Sequence, residues 1–303
     1  MSMYKKVDQK FDAALTSAEI QFEPVNPEVH SLENGVDVVY TLAPQLEKKP
    51  SSKTEADTTT KQSPWLPPDE SLLVETLDDY SVVLNKYPVV KNHCLLVSKE
   101  HIPQALPLGE EDWATAIELL RTLNKESKTR HVGFFNSGVE SGASVDHKHI
   151  QFVTIPEDFK PFPDTVKDTN DDEVYADNRV PFAHFIRNVP RNADADDLIF
   201  RYSQILGELL TRSFKTEFNK KTNDVHYNLV FTEEWILGVP RTKAKTDDGI
   251  SINALGTIGM FLAKNESDLA IIKEKNLDLV KDVGYPFEKI EKHAPDFSGY
   301  TLY

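Results

Sequence analysis

The chain has 303 residues, is 39% hydrophobic, carries a formal net charge of -15 at pH 7 and contains one cysteine, Cys94. The apolar content suffices for a well-buried core, and the length suits one large domain or two smaller ones. The acidic balance makes a nucleic-acid duplex an unfavourable partner, and a single cysteine excludes an intrachain disulfide and a cysteine-rich zinc site.

Hydrophobic periodicity predicts helices and strands in the first half of the chain. Helices are expected at residues 4–21 and Glu110–Lys125, where apolar residues recur at steps of three and four. Their inner faces are expected to carry Val7, Phe11, Leu15 and Ala18 in the first, and Trp113, Ile117, Leu120 and Leu123 in the second. Short apolar or β-branched runs predict strands at Val36–Leu42, Tyr80–Leu84, Cys94–Val97, Val132–Phe135 and the segment that ends at Thr154.

A polar stretch from Pro44 to Pro68 is rich in Lys, Ser, Thr and Pro. Such a composition is typical of a surface loop or a disordered segment. We therefore predict a flexible loop at residues 44–68, within one domain that spans residues 1–303.

The second half of the chain again combines strands with a long helix. A helix is predicted over Asp196–Phe214, where Leu198, Tyr202, Ile205 and Leu209 recur at helical spacing. Strands are predicted at Phe182–Val189, Tyr227–Thr232 and Trp235–Val239, a loop at Asp164–Asn178, and helical structure after the turn at Asp247–Gly249. Long helices combined with runs of strands favour an α+β architecture.

The most informative pattern is His147-Lys148-His149-Ile150-Gln151, which follows a small-residue segment, Asn136–Ser144. On a β-strand, alternation places two imidazoles and an amide on one face. Backbone N–H groups of a Gly/Ser loop can bind anionic oxygens, and one imidazole can act as a nucleophile. The pattern therefore suits phosphate chemistry, although a Gly/Ser segment is also an ordinary hairpin connection.

Two other interpretations of the histidine pair stay open at this point. His147 and His149 could share a metal, but a catalytic metal site needs a third ligand and glutamine is a poor one. His93, His101, His131 or His184 could supply that ligand from elsewhere in the chain. A purely structural role is the remaining alternative, because short motifs have real false-positive rates.

An anionic ligand would need positive charge at its site in this acidic chain. Candidate lysines are Lys49, Lys86 and Lys264, and the run Arg241-Thr242-Lys243 is a similar candidate. For any single one of them, an ordinary solvated side chain is the simpler interpretation.

The sequence offers no clear targeting or membrane signal. Residues 1–14 lack the apolar core of a signal peptide, and no apolar run approaches the ~20 residues that span a bilayer. We expect a cytoplasmic protein without a membrane partner, with the nucleus as a second candidate location.

Residues Asn136 to Phe152 resemble the motif of the histidine-triad superfamily, and Gln151 is similar to the glutamine of its galactose-1-phosphate uridylyltransferase-like branch. A closer resemblance is to the fungal diadenosine tetraphosphate phosphorylases, also called ATP adenylyltransferases. The motifs that carry it, between about Lys49 and Lys264, are Leu84–Val89, Leu95–Val97, Phe135–Gly138, Ser141–Gly142, Asp146–His149 with Gln151, Phe182–Phe185, Glu234–Ile236 and Val239–Arg241.

This resemblance implies a histidine-triad-like α+β fold with a mostly antiparallel mixed sheet flanked by helices. It also implies that His149 is the nucleophile and that His147 and Gln151 are the other catalytic residues. The substrate-binding residues that it implies are Lys49, Asn85, Lys86, Asn136, Gly142, Ala143, Ser144, Val145, Gln151, Asn253, Ala254, Leu255, Met260 and Lys264.

The chain departs from the family pattern after Asn253, where hydroxyl residues are expected and Ala254 and Leu255 stand instead. Contacts of this segment with a ligand would then come from the backbone. The resemblance implies no metal site and no tightly bound cofactor, and a divalent cation such as Mg²⁺ could accompany a polyphosphate substrate.

The activity implied is reversible phosphorolysis of diadenosine tetraphosphate to ATP and ADP through an adenylyl-histidine, with an ADP sulfurylase-type side activity. The expected partners are diadenosine tetraphosphate, ATP, ADP, phosphate and AMP, bound by a monomer. The alternatives are another nucleotidyltransferase, a dinucleoside polyphosphate hydrolase and a non-catalytic nucleotide-binding protein.

Overall fold

A computed structural model describes residues 1–48, 63–166, 173–214 and 225–289 of the chain. Its helices are α1 (Met3–Thr16), α2 (Glu110–Ser127), α3 (Ala195–Phe214), α4 (Ala254–Thr257), α5 (Glu266–Lys275) and α6 (Asp278–Asp282). Its strands are β1 (Glu28–Ser31), β2 (Asp37–Leu42), β3 (Leu73–Thr76), β4 (Tyr80–Leu84), β5 (Cys94–Ser98), β6 (His131–Ser137), β7 (His149–Thr154), β8 (Phe185–Asn188), β9 (His226–Phe231), β10 (Trp235–Arg241) and β11 (Met260–Ala263).

The described strands form two sheets. The large sheet has the order β3-β4-β5-β7-β6-β9-β10-β8, and every neighbouring pair in it is antiparallel. The small sheet has the order β1-β2-β11, in which β2 and β11 run parallel. This confirms the predicted α+β class with a mostly antiparallel sheet.

Each face of the large sheet packs against its own hydrophobic core. Along β7, Ile150 and Phe152 join the core that also contains residues of α1, α2 and α3, whereas Val153 joins the core shared with the small sheet. The period-2 alternation of a strand produces this division. Within the described residues, no helix is both long and apolar enough to cross a membrane.

The first helix is shorter than the sequence predicts. It ends at Thr16 instead of continuing to residue 21, and Ala18 adopts φ of 60°, a left-handed conformation that terminates a helix. Its buried residues are Val7, Phe11 and Ala14, while Leu15 is 40% exposed. The predicted inner face was therefore wrong at Leu15 and Ala18.

Three short strands were absent from the sequence prediction. Strands β1 and β3 each have four residues, and β11 lies where helical structure was expected. Strand β11 pairs with β2, so that Met260 lies opposite Val39. Pairing between segments this far apart leaves little local periodicity to detect. The predicted strand at residues 182–189 is also shorter, because β8 begins at Phe185.

The polar stretch at 44–68 is only partly described. Pro44–Lys48 forms a 3₁₀ turn, and residues 49–62, which include Lys49, lie outside the described residues. Trp65 packs against a small cluster of buried residues that includes Val83 and Leu95. The end of the stretch is therefore part of the packed structure.

A buried ion pair connects the start of α2 to the histidine motif. Lys148 Nζ lies 2.8 Å from Asp112 Oδ2, and both side chains are less than a tenth exposed. Asp112 also accepts hydrogen bonds from Tyr80 Oη at 2.8 Å and from the backbone N–H of Gly109 at 2.7 Å. The residue between the two histidines is thus anchored on the helix-covered side of the sheet.

We expect Lys148→Met to lower the free energy of unfolding by about 3 kcal/mol, because it leaves Asp112 buried without its cation. Urea unfolding measures this change. Lys281→Met is the control, since the ion pair of Lys281 with Asp278 is exposed and should contribute under about 1 kcal/mol. Equal effects of the two substitutions would contradict the anchoring role of the buried pair.

Candidate active site

A cavity of about 1600 Å³ opens on the side of β7 that faces away from α2. Ligand pockets usually measure roughly 300–1,000 Å³, so this cavity has room for an elongated ligand. The predicted site residues that line it are Asn85, Lys86, Asn136, Gly142, Ala143, Ser144, Val145, His149, Gln151, Asn253, Leu255, Met260 and Lys264. His147 and Ala254 do not line it, and Lys49 lies outside the described residues.

The His149 ring is fixed by the backbone at the first residue of β7. Its Nδ1 lies 2.7 Å from the carbonyl oxygen of His147, and its backbone N–H donates to Gln104 Oε1 at 2.8 Å. A carbonyl can only accept, so Nδ1 carries the hydrogen in the neutral ring. Nε2 is then the nitrogen that carries the lone pair, which is the state that a nucleophile requires.

His147 takes the opposite tautomer, and its ring lies outside the cavity. Its fully buried ring donates from Nε2 to the carbonyl oxygen of Ser98 at 2.7 Å. Burial lowers the pKa of His147, so the ring stays neutral at pH 7. Its backbone carbonyl orients His149, whereas its ring is not in the cavity.

An indole covers both histidines. The ring centroid of Trp65 lies 4.8 Å from that of His149 and 5.6 Å from that of His147. Aromatic contacts at these distances restrict the rotation of the imidazoles. Trp65 belongs to the polar stretch that the sequence predicts as a flexible loop, so it could not be identified from the pattern.

Gln151 is oriented by a histidine from the neighbouring strand connection. Gln151 Oε1 lies 3.0 Å from His93 Nε2, and Asn85 Nδ2 lies 3.4 Å from His93 Nδ1. Because the amide oxygen can only accept, His93 donates from Nε2, and the NH₂ group of Gln151 is left as a donor for the cavity. His93 is therefore part of the site through Gln151, whereas the sequence indicated it only as a candidate metal ligand.

The small-residue loop has the backbone conformation that its glycines allow. Gly138 and Gly142 adopt φ of 79° and 91°, which disfavour a side chain. A Cβ at Gly142 would lie 3.2 Å from the carbonyl oxygen of Ile252. The loop can thus approach the segment around Asn253 closely.

Two asparagine side chains hold the backbone at Ala254 and Leu255. Asn253 Oδ1 caps α4 by accepting from the N–H of Leu255 at 3.1 Å, and the N–H of Ala254 donates to Asn136 Oδ1 at 3.0 Å. A hydroxyl at residue 254 or 255 is not needed for either contact. Asn136 Oδ1 is used within the protein, so Asn136 can offer only its NH₂ group to a ligand.

Positive charge is present around the cavity. Lys86, Lys245 and Lys264 line it, and Lys245 is an addition to the lysines selected from the sequence. In the described part of the chain, no group of three or more His, Cys, Asp or Glu side chains is placed to hold a metal ion. The arrangement suits an anionic ligand.

A buried imidazole whose Nδ1 is held by a backbone carbonyl, next to a glycine loop and lysines, is the arrangement of a nucleotidyltransferase of the histidine-triad type. Residues 1–165 match the family model of the Ap4A phosphorylase N-terminal domain, and residues 178–286 match that of the ATP adenylyltransferase C-terminal domain, where Ap4A is diadenosine tetraphosphate. The chain therefore belongs to the Ap4A phosphorylase (ATP adenylyltransferase) family.

Relatives from yeast extend this match over most of the chain. Protein APA1 of Saccharomyces cerevisiae is 39% identical over 224 residues, which are 68% of this chain and 69% of APA1. Diadenosine 5',5'''-P1,P4-tetraphosphate phosphorylase 2 of the same yeast is 34% identical over 77% of this chain and 78% of its own length. A crystal structure of yeast Ap4A phosphorylase Apa2 in complex with Ap4A has a TM-score of 0.80 and 30% identity, covering 94% of this chain and 99% of that one.

We expect the two site histidines to show opposite tautomers by ¹⁵N NMR of the imidazoles at pH 8. His149 should carry its hydrogen on Nδ1 and His147 on Nε2, because each donates to a backbone carbonyl. His184 is an internal reference with hydrogen on Nδ1. That atom lies 2.9 Å from the Phe182 carbonyl oxygen, and His184 Nε2 accepts from the backbone N–H of Asp177. Hydrogen on Nε2 of His149 would contradict the assigned nucleophilic atom.

Proposed function

We propose that this protein catalyses the phosphorolysis of Ap4A to ATP and ADP, with AMP carried on His149 between the two half-reactions. The observation that carries the proposal is the hydrogen bond from His149 Nδ1 to the His147 carbonyl, which leaves the lone pair on Nε2. The family membership and the yeast relative crystallised with Ap4A support the choice of substrate.

The lining of the cavity agrees with a substrate that combines apolar bases with a charged polyphosphate. Its apolar lining residues include Phe22, Val25, Tyr87, Met260 and Phe261. The polar residues His149 and Gln151 also line the cavity, as do the lysines. A dinucleoside polyphosphate combines two apolar bases with a charged centre in the same way.

In the first half-reaction, His149 Nε2 attacks an α-phosphorus of Ap4A. The P–N bond forms while the bond to the bridging oxygen breaks, and ATP leaves with the electron pair of that bond. ATP is stable as an anion, so its departure needs little help from a general acid. Lys86, Lys264 and the backbone N–H groups of residues 143–145 offset the charge of the transition state.

In the second half-reaction, an oxygen of inorganic phosphate attacks the same phosphorus, the P–N bond breaks, and ADP leaves. Phosphate is already an anion at neutral pH and needs little activation by a base. Gln151 fits this chemistry because its amide donates to a phosphoryl oxygen but cannot deprotonate water. The groups used here all lie in one chain, so we propose that a monomer is active.

Product analysis of Ap4A incubated with and without inorganic phosphate tests the proposal. ATP and ADP that form only when phosphate is present would establish phosphorolysis. ATP and AMP that form regardless of phosphate would identify a hydrolase, and turnover only of other nucleotides would identify a different nucleotidyltransferase. Binding without any turnover would leave a nucleotide-binding protein.

We expect His149→Ala to abolish turnover and the adenylylated intermediate, because the proposed P–N bond forms at His149 Nε2. Intact-mass spectrometry after mixing with Ap4A detects the added AMP in the unsubstituted protein. His30→Ala is the control, since His30 is exposed on β1 and should react normally. Normal rates in His149→Ala would disprove the nucleophile assignment.

We expect His93→Leu to lower kcat for Ap4A by about tenfold, with a smaller change in KM, because the Gln151 amide loses the donor that fixes its orientation. His93→Gln retains an amide donor and should recover part of the rate. Steady-state kinetics with both variants measure kcat and KM separately. Equal kcat values in all three proteins would show that His93 does not act through Gln151.

A further inference from the structure

Arg241, at the end of β10, is a fully buried cation bonded to neutral oxygens. Its Nη1 donates to Asn228 Oδ1, its Nη2 to the carbonyl oxygens of Lys243 at 2.8 Å and Ile252 at 2.9 Å, and its Nε to that of Val283 at 3.2 Å. None of these acceptors is a carboxylate. A buried charge without a paired charge is costly, so a structural arginine would normally have one.

The guanidinium is one side chain away from the cavity wall. Asn228, which accepts from Arg241, donates from Nδ2 to Asn136 Oδ1 and to the Ser141 carbonyl, both at 2.8 Å. Asn136 lines the cavity, and Ser141 precedes the glycine loop residue Gly142. Arg241 thus supports the loop that offers its N–H groups to the ligand.

A second set of hydrogen bonds connects Arg241 to the backbone around Asn253. The Ile252 carbonyl that accepts from Nη2 is the oxygen that a Cβ on Gly142 would approach, and it immediately precedes Asn253. The backbone N–H of Ala254 donates a hydrogen bond to Asn136 Oδ1, the same atom that accepts from Asn228. The hydrogen bonds therefore form a closed ring through Arg241, Asn228, Asn136 and the 252–254 backbone.

The Arg241 guanidinium keeps the positive charge that binding of an anion would require. Burial lowers the pKa of Arg241 to about 9, while Glu140 acts in the opposite direction. The guanidinium is therefore still charged at neutral pH. Glu140 lies in the glycine loop and accepts from the N–H of Ala244 at 3.1 Å.

We propose that Arg241 is the positioning residue for phosphoryl binding, and that its buried charge is balanced by the phosphoryl group of the bound nucleotide. It acts from behind the cavity wall, by holding the glycine loop and the 252–254 segment together and by making the potential there positive. This proposal rests on the proposed function only in taking an adenine nucleotide as the ligand.

If Arg241 had only a structural role, the expected binding results would differ from those expected if its charge contributes. Loss of hydrogen bonds that only support the structure would weaken the binding of a charged and an uncharged ligand equally. Loss of the charge would weaken the charged ligand selectively, because Coulomb attraction acts on the phosphate alone. The ratio of the dissociation constants of adenosine and AMP isolates this difference.

The test is calorimetric titration of the full chain with AMP and, separately, with adenosine. We expect the unsubstituted protein to bind AMP more tightly than adenosine, and Arg241→Gln to reduce that preference by about tenfold. Arg201→Gln is the control, because Arg201 lies on α3 and pairs with Asp197, so the preference should not change. Equal weakening of both ligands, an unchanged ratio, or no AMP binding to the unsubstituted protein would overturn the proposal.

If Arg241→Gln does not fold, Arg241→Lys tests the same proposal. Lysine retains the charge but cannot reach all the acceptors, so we expect lower stability towards urea and an AMP preference within about threefold of the original. A folded lysine variant without that preference would overturn the proposal. Neither ligand contains a scissile polyphosphate, so these results are independent of whether Ap4A is phosphorolysed.

Discussion

The central position of β7 in the large sheet is the constraint on which the site depends. It lies between β5 and β6, with Val97 opposite His149 and Phe134 opposite Gln151. Hydrogen bonds on both sides leave the strand no freedom to shift, and a slip of one residue would move every side chain to the other face. The helix-covered core at Ile150 therefore also sets where the His149 imidazole lies.

Around that strand, neutral groups and backbone atoms determine the chemical state of the reactive residues. The carbonyl of His147 selects the tautomer of His149, and His93 selects the orientation of Gln151. Gln104 bonds both the N–H and the carbonyl of His149. A tautomer fixed in this way suits the proposed reaction between anions, which requires little acid–base help.

Charge is distributed in the opposite sense to the overall composition. The chain has a net charge of -15, yet Lys86, Lys245 and Lys264 line the cavity and Arg241 lies behind its wall. Two kinds of positive charge are combined here. Lysines at the cavity surface can follow a flexible polyphosphate, whereas a buried guanidinium held by four oxygens acts from a fixed position.

The sequence alone determined the features that repeat over short distances. Period-2 alternation predicted that His147, His149 and Gln151 share a face; His149 and Gln151 both line the cavity, whereas His147 precedes β7 and does not. Helical spacing predicted α2 and α3. Most of the site residues that the family motif predicted line the cavity. Local side-chain periodicity carries this information because each element obeys its own geometry.

Only the tertiary structure decided which distant groups meet. The pairing of β11 with β2, the packing of Trp65 on the histidines and the contact of His93 with Gln151 each join segments that are separate in the sequence. The sequence offered Arg241 only as one candidate cation among several, because its burial and its neutral hydrogen-bond acceptors are properties of the folded surroundings. Contacts of this kind depend on the packing of the whole chain, and no local pattern encodes them.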